Sequence, residues 1–549
     1  MSKFGPPDQN GSKNPKPYSE GDTHSTKKRK KNLPVEQHLR LYNQYPGSYE
    51  TFVDMSNDLV RIKDMGFKQV WVNPFYDTCM VNPTKGYEHK INCPYAMRDH
   101  ERLNPEYGAN FDDVKRYTQT ARDLELVPIF DLVANHVARD HPFVAGDPIL
   151  KAQGIDTKPW FKRHANGNLV VKGLNDQLQW DGKSKNPWTD VAQFDYSNPE
   201  IRNEIFDHFW RPFIDFNIKE LGFMGARIDA PGRISHVVHD QLLKYLKDKC
   251  QEVHGADPYI VAETVGSGNP EGDLAAINGL ATHTMNSAFW MPGPEGHREE
   301  NGTVRPYSIW RDDNGSWTDT EGHHHDSGGQ NWYAPLKGIL QLAAPTAGHS
   351  GSHDEDRYPH ILHEKWGITN PVILKQRMLE MIMVAAFGSD GGHILAYGDE
   401  FGIEDKIDLH NRQVIDVEKN GQYDLTEDIR AVNQIVNKLP PPAKPEWTQR
   451  VFYEKYPELV IFIVHEGEGL HCDSHVIIGN TYNDEDKHIE INQKMLEEIL
   501  TANGRNSTIQ IPEQLFLCGR IKANKDLVSK VIRPPEVRKP LSKRGGGGR

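Results

Sequence analysis

The chain has 549 residues, of which 37% are hydrophobic and 26% charged, and a formal net charge of −13. Its 46 glycines and 36 prolines fall well short of the roughly 25–30% that marks low-complexity chains, so most of it is expected to fold. The acid excess excludes a histone-like coat for nucleic acid. It is unevenly spread: residues 1–34 carry eight Lys or Arg against three acids, and residues 520–549 carry ten against two, which leaves basic tails on an acidic body. The run Lys27–Lys31, set among Pro, Gly, Asn and Ser, reads as a solvated arm rather than a nucleic-acid patch.

No apolar run approaches the roughly 18–20 residues of a membrane-spanning helix, and the first residues are polar where a signal peptide would be apolar. Cys79, Cys93, Cys250, Cys472 and Cys518 are odd in number, scattered, and without Cys-x-x-Cys spacing, which supports neither a disulfide framework nor a zinc site. A soluble protein of a reducing compartment, the cytoplasm, is expected, with no membrane or nucleic-acid partner.

Between the tails, short apolar β-rich segments alternate with helical patterns, the sequence sign of βαβ units. Leu39–Tyr42 reads as the first strand. A helical pattern over Tyr49–Met65 then leads through Gly66 into Gln69–Pro74, a buried strand ended by proline. A second, Phe111–Leu124, precedes Val127–Val133, and a third, Pro199–Leu221 with Asn198 as its cap, precedes Phe223–Asp229. Tyr259–Glu263, a weaker Ala281–Phe289, the segment before His353, and His393–Tyr397 complete eight strands. Eight repeats over about 400 residues favour a closed (β/α)8 barrel, a fold that tolerates long loop insertions.

Asp131, Asp229, Glu263 and Asp354 all lie at or just after the carboxyl end of an expected strand, where the loops of such a barrel build its site. Any one alone would read as a helix cap or an ion-pair partner. Asp131-Leu132-Val133-Ala134-Asn135-His136, Gly225-Ala226-Arg227-Ile228-Asp229-Ala230, Val261-Ala262-Glu263 and His353-Asp354 occur in that order, on strands three, four, five and seven. They resemble the four signature segments of the alpha-amylase family, glycoside hydrolase family 13. Gly86-Tyr87, Leu103–Gly108 and Ala396–Gly402 add to the resemblance, which covers roughly residues 35–440.

The resemblance implies a double displacement on α-linked glucosides. Asp229 would be the nucleophile, Glu263 the acid/base and Asp354 a third carboxylate on the sugar hydroxyls. Retaining glycosidases hold two such carboxyl groups about 5–5.5 Å apart. Around the substrate the resemblance implies Arg227, His136, His353, Asp131 and Tyr87. Arg227, two residues before Asp229, shares its strand face and would keep it ionised. His136 and His353 would bind hydroxyls, Asp131 would support the site, and Tyr87, with Tyr95 as its rival, would be the aromatic platform. An α-linked oligosaccharide or related glucoside is the expected partner. No cofactor is required, though Asn135 matches a calcium ligand of many relatives, with Asp140, Asp147, Asp176 and Asp181 in the loop of about 137–197 as further oxygens.

Two departures stand out. The nucleophile segment continues Ala230-Pro231-Gly232-Arg233 where many members carry a lysine that holds the acceptor sugar, so short oligosaccharides should be preferred to starch. Glu355 and Asp356 beside Asp354 read as solvated loop acids. His323-His324-His325-Asp326, in a Gly-rich loop, reads as solvated rather than metal-binding. After Pro440-Pro441-Pro442 the pattern turns to strands, at Val451–Glu454, Leu459–Val464 and His475–Ile478. It resembles the family's all-β carboxy-terminal domain. The domains expected are thus a tail over 1–34, a barrel over 35–440 with its insertion, a β domain over 445–525 and a tail over 526–549. Hydrolysis is the leading activity. Transglycosylation shares its intermediate, and a barrel that only binds is the alternative of another class.

Overall fold

The computed structural model describes residues 38–81, 91–170, 172–173, 187–263, 280–286, 316–318, 324–326, 346–349, 353, 356–389, 391–439, 448–451, 456, 459–466, 473–481, 489–501, 514–519, 521–525, 527 and 531–532. Eight strands close into a barrel: β1 (Leu39–Gln44), β2 (Gln69–Val72), β3 (Val127–Leu132), β4 (Gly225–Ile228), β5 (Tyr259–Glu263), β6 (His283–Asn286), β7 (Thr346–His349) and β8 (Gly392–Ala396). Neighbours pair in parallel all the way round, and β8 closes on β1 through Leu39 opposite Gly392. The fold expected from the sequence is therefore the one observed, with strand ends moved by one to three residues.

Strand alternation decides what faces the axis. Leu39, Leu41, Trp71, Ile129, Tyr259, Val261, Met285, Ala347 and Ile394 pack into one cluster inside the barrel. The intervening Val70, Val72, Phe130, Leu132, Ala226, Ile228, Ile260 and Ala262 belong to the larger core between barrel and helices. Continuing the inward phase to the carboxyl ends brings Asn43, Asn73, Asp131, Arg227, Asp229 and Glu263 to one mouth. The close strand approach needs glycine at Gly225, where a Cβ would lie 2.1 Å from the Tyr259 carbonyl oxygen.

Helix α1 (Phe111–Asp123) begins at a capping box formed by Asn110 and Asp113. Asn198 caps the next helical stretch as expected, accepting from the backbone N–H groups of Glu200 and Ile201. Residues Phe206–Trp210 and Phe216–Glu220 widen there to π turns. The single helix expected over Tyr49–Met65 is instead two short ones, Phe52–Asn57 and Leu59–Asp64. Asp58 marks the break: its carboxylate takes hydrogen bonds from Tyr49 and Arg61, and Tyr49 stacks on Tyr397. Helix α2 (His236–His254) ends on Gly255 in the left-handed conformation.

The loop after β3 pairs His136–Ala138 with Val191–Gln193 and Lys172–Gly173 with Pro187–Trp188. Phe143, Trp160, Phe161 and Phe194 pack it onto Phe209 and Trp210 of the Pro199–Glu220 stretch. His324–Asp326, expected in a loop, pairs with Ser316–Thr318 as a hairpin, and His323 lies outside the described residues.

Helices α3 (Pro371–Gly388) and α4 (Thr426–Val436) carry the carboxy-terminal region. Its sheet runs β9 (Thr448–Val451), β10 (Leu459–Glu466), β11 (Asp473–Asn480), β12 (Gln514–Cys518) and β13 (Val531–Ile532) in that order. Val460, Phe462, Ile477 and Phe516 face the barrel helices, while Leu459, Ile461, Ile463, Val476, Ile478, Leu515 and Leu517 face away. That far face is covered by a helix, α5 (Gln493–Thr501), through Met495, Leu496 and Ile499, so the region is not all β as the sequence suggested. Strand β13 falls where a tail was expected, and the basic run of residues 1–34 lies outside the described residues. No helix among the described residues is long and apolar enough to cross a membrane.

Four buried histidines make the fold acid-sensitive. Burial lowers His100 to about 4, His239 to about 4 and His393 to about 3, and takes His141 well below its ordinary value. Above pH 6.5 these rings are neutral in both states. As pH falls below 6.5 the unfolded chain takes up protons that the folded one refuses, so stability drops until the folded values are reached. Each ring contributes a slope of about 1.4 kcal/mol per pH unit in that window. The melting temperature should fall from pH 6.5 to 4.5, partly offset by the buried Asp131 and Asp399 carboxyls that hold protons in the folded state over that range, and His100→Gln should flatten the fall. A flat profile over that range would contradict this reading.

Candidate active site

Arg227 is the hub. It is 1% exposed, and its guanidinium meets three carboxylates: Nη1 lies 3.0 Å from Asp131 Oδ1 and 2.7 Å from Asp229 Oδ1, and Nη2 lies 2.8 Å from Glu263 Oε1. Strands β3, β4 and β5 are neighbours, and Arg227 sits opposite both Asp131 and Val261 in register, which is why one side chain reaches all three. Burial alone would push the guanidinium down, but Asp131, Glu263 and Asp229 hold it well above its ordinary value.

The three acids are not equivalent. The Asp131 side chain is 0% exposed, against 14% for Asp229 and 19% for Glu263, so only the last two open to the mouth. Burial pushes the Asp131 carboxyl up to about 7 against the pull of Arg227. It also accepts from Trp71 Nε1 at 3.1 Å and Tyr95 Oη at 2.9 Å. Asp131 and Arg227 therefore stand behind the two open carboxylates. Glu263 Oε2 accepts from the Ala230 backbone N–H at 2.9 Å. Ala230 is a non-glycine residue in the left-handed region, φ 39°, a strained turn that aims this N–H at the acid.

A chain of amides fixes the opposite wall. Asn43 Nδ2 donates to Asn73 Oδ1 at 2.8 Å, and Asn73 Nδ2 donates to Tyr95 Oη at 3.0 Å and lies 3.3 Å from His353 Nδ1. The Tyr95 ring stacks on His353 at 5.2 Å, 9° from parallel, and the guanidinium of Arg227 lies 5.0 Å from the Trp71 ring. Tyr95 thus occupies the mouth. Tyr87 and Asp354 lie outside the described residues.

His136, expected to bind a hydroxyl, has both ring nitrogens engaged by the protein: Nδ1 with Asn135 Nδ2 at 3.3 Å and Nε2 with the Tyr95 carbonyl at 3.1 Å. It holds the segment that carries Tyr95. Arg357, three residues past Asp354, is buried and ties the loop after β7 to the loop after β8. Its Nη1 pairs with Asp399 at 2.6 Å and its Nη2 donates to the Tyr397 carbonyl at 2.9 Å. Burial raises the Asp399 carboxyl to about 6 even so.

Among the described residues, the oxygens expected at a calcium site are engaged within the protein. Asn135 Oδ1 accepts from Gln193 Nε2 at 3.1 Å, and Asp147 caps the helix Pro148–Ala152. Asp140 accepts from the Met80 N–H, and Asp176 and Asp181 lie outside the described residues. Among the described residues no group of three acidic, His or Cys side chains could hold a metal ion.

A parallel eight-stranded barrel thus carries two open carboxylates and a shared cation at its mouth. Residues 53–260 match the family model described as the alpha amylase catalytic domain, so this part of the chain is similar to that family. Over 163 residues it is 26% identical to an alpha-amylase of Saccharomycopsis fibuligera, 29% of this chain and 31% of that protein. Over 302 residues it is 27% identical to the oligo-1,6-glucosidase IMA5 of Saccharomyces cerevisiae, 45% of this chain and 48% of that one. The chain thus spans about a third to a half of the length of these relatives. The crystal structure of an alpha-amylase from Lactobacillus plantarum shares the fold with a TM-score of 0.53 and 19% identity, over 78% of this chain and 86% of that chain.

Proposed function

We propose that the chain is a retaining glycoside hydrolase acting on α-linked glucosides. The observation that carries the reading is the single buried guanidinium that aligns Asp229 and Glu263 at the mouth. Asp229 attacks the anomeric carbon, and the bond to the departing oxygen breaks as Glu263 gives that oxygen its proton. Water then loses a proton to Glu263 and attacks the same carbon, releasing Asp229. Asp131 holds Arg227 in place from below, and Tyr95 and His353 form the wall against which the sugar lies. Asp354 is the third carboxylate, its role resting on the sequence resemblance. Free thiols at the described Cys79, Cys93, Cys250 and Cys518 support a reducing compartment, and we place the protein in the cytoplasm.

The test is incubation with maltooligosaccharides, trehalose, sucrose and glycogen, with products resolved by chromatography and Asp229→Asn as control. Two inversions restore the configuration, so proton NMR should show the α-anomer first. Initial appearance of the β-anomer would refute the double displacement. Turnover of none of the substrates would favour a barrel that only binds.

A further inference from the structure

We infer that Trp71 is a positioning residue for the reaction proposed above, and the inference rests on that reading: its indole N–H holds Asp131 charged and in place, and so fixes how the one Arg227 guanidinium is divided among the carboxylates. Trp71 is 0% exposed and lies on β2, inside the barrel. Its Nε1 donates to Asp131 Oδ2 at 3.1 Å, the Arg227 guanidinium lies 5.0 Å from its ring centroid, and its ring meets that of His353 edge-on at 5.6 Å. Tyr95 closes the circuit: its Oη donates to the same Asp131 oxygen at 2.9 Å, and its ring stacks on His353. One indole thus touches the buried acid, the shared cation and the wall formed by His353 and Tyr95.

The donor matters because the Asp131 side chain, 0% exposed, has no solvent to turn to. Burial pushes its carboxyl up to about 7; Arg227 and Tyr95 favour the charge, and Asp229, just beyond β4, opposes it. Glu263 bears on it through Arg227, while His349 and His353 meet the indole edge-on from β7 and the loop that follows. When Asp131 takes up a proton, the guanidinium is left to Asp229 and Glu263 alone. Its undivided charge then grips the attacking oxygen of Asp229 and weakens the hold of Glu263 on the proton it must give away. Turnover should therefore fall on the acid side as Asp131 is protonated. Losing the indole donor disfavours the charged carboxyl and should move that fall to higher pH.

The experiment records kcat/KM for maltose against pH in the wild-type protein, in Trp71→Phe, and in protein with benzothienylalanine in place of Trp71, which keeps the shape of the indole and puts sulfur where the N–H was. In both altered proteins the acid limb should move up by about one pH unit, the scale of one hydrogen bond to a charged acceptor. A second reading needs no turnover: the Trp71 indole N–H resonance, recognised by its loss in Trp71→Phe, should shift as Asp131 takes up its proton near pH 7. If Trp71→Phe fails to fold, the benzothienylalanine protein decides. An acid limb that stays in place there, or an indole resonance that does not titrate, would show that Trp71 only fills the barrel, and either overturns the inference. Should the wild-type protein turn over no α-glucoside while the indole still titrates, it is the proposed function that falls and not the coupling of Trp71 to Asp131.

Discussion

Replacing Glu263 by Gln is expected to slow natural α-glucosides by roughly 10² to 10⁴, the usual worth of general acid catalysis, while the first step on α-glucosyl fluoride is largely spared. Fluoride leaves with little protonic help, whereas a sugar alkoxide does not. Asp229→Asn should abolish both reactions, because it removes the attacking oxygen. The structure explains why the substitutions separate. Asp229 and Glu263 contact different nitrogens of Arg227, so Gln at 263 leaves the Asp229 ion pair at 2.7 Å standing. The comparison of the two substrates for each variant decides the assignment. If Glu263→Gln loses the fluoride reaction as completely as Asp229→Asn does, the roles are wrongly placed.

Arg227→Met should cost about 3–5 kcal/mol of stability, the scale for removing one partner from a buried ionic group, together with nearly all activity. Asp131 is the reason. Its side chain is fully buried, and without the guanidinium its charge is balanced only by the Trp71 and Tyr95 donors. The carboxyl, already pushed up to about 7, should then be neutral across the working pH range. Adding Asp131→Asn removes the carboxyl that must take up a proton to stay buried, so the double variant should recover part of the stability and none of the turnover, a coupling that additive effects cannot produce. Denaturant midpoints for the two variants and the double variant test this. A loss below about 1 kcal/mol in Arg227→Met would contradict the account of Arg227 as the hub.

Much of this was legible in the sequence because the barrel obeys two periods. Asp131, Asp229 and Glu263 could be placed at strand ends and Arg227 on the face of Asp229 by alternation, while their grouping and roles came from the family resemblance. Asn43, Trp71 and Asn73 were missed as parts of the site, although the signal existed: polar amides two residues beyond inward apolar positions on strands β1 and β2. Tyr95 lies in a loop with no period, so its place at the mouth was not readable from local pattern, and Tyr87 lies outside the described residues. The break at Asp58 escaped notice because the apolar spacing of Phe52, Met55, Leu59 and Ile62 runs through it unbroken. Helix α5 shows the reverse error: Met495, Leu496 and Ile499 have helical spacing, but the strands around them drew the reading toward an all-β domain.

The measurement that bears most directly on the central claim is peptide mass spectrometry of Glu263→Gln after reaction with α-glucosyl fluoride. With water lacking its base, the covalent intermediate should accumulate. The account predicts a hexosyl adduct on the peptide containing Asp229. The absence of any adduct while fluoride is released, or an adduct carried by Asp131 or another residue, would contradict it.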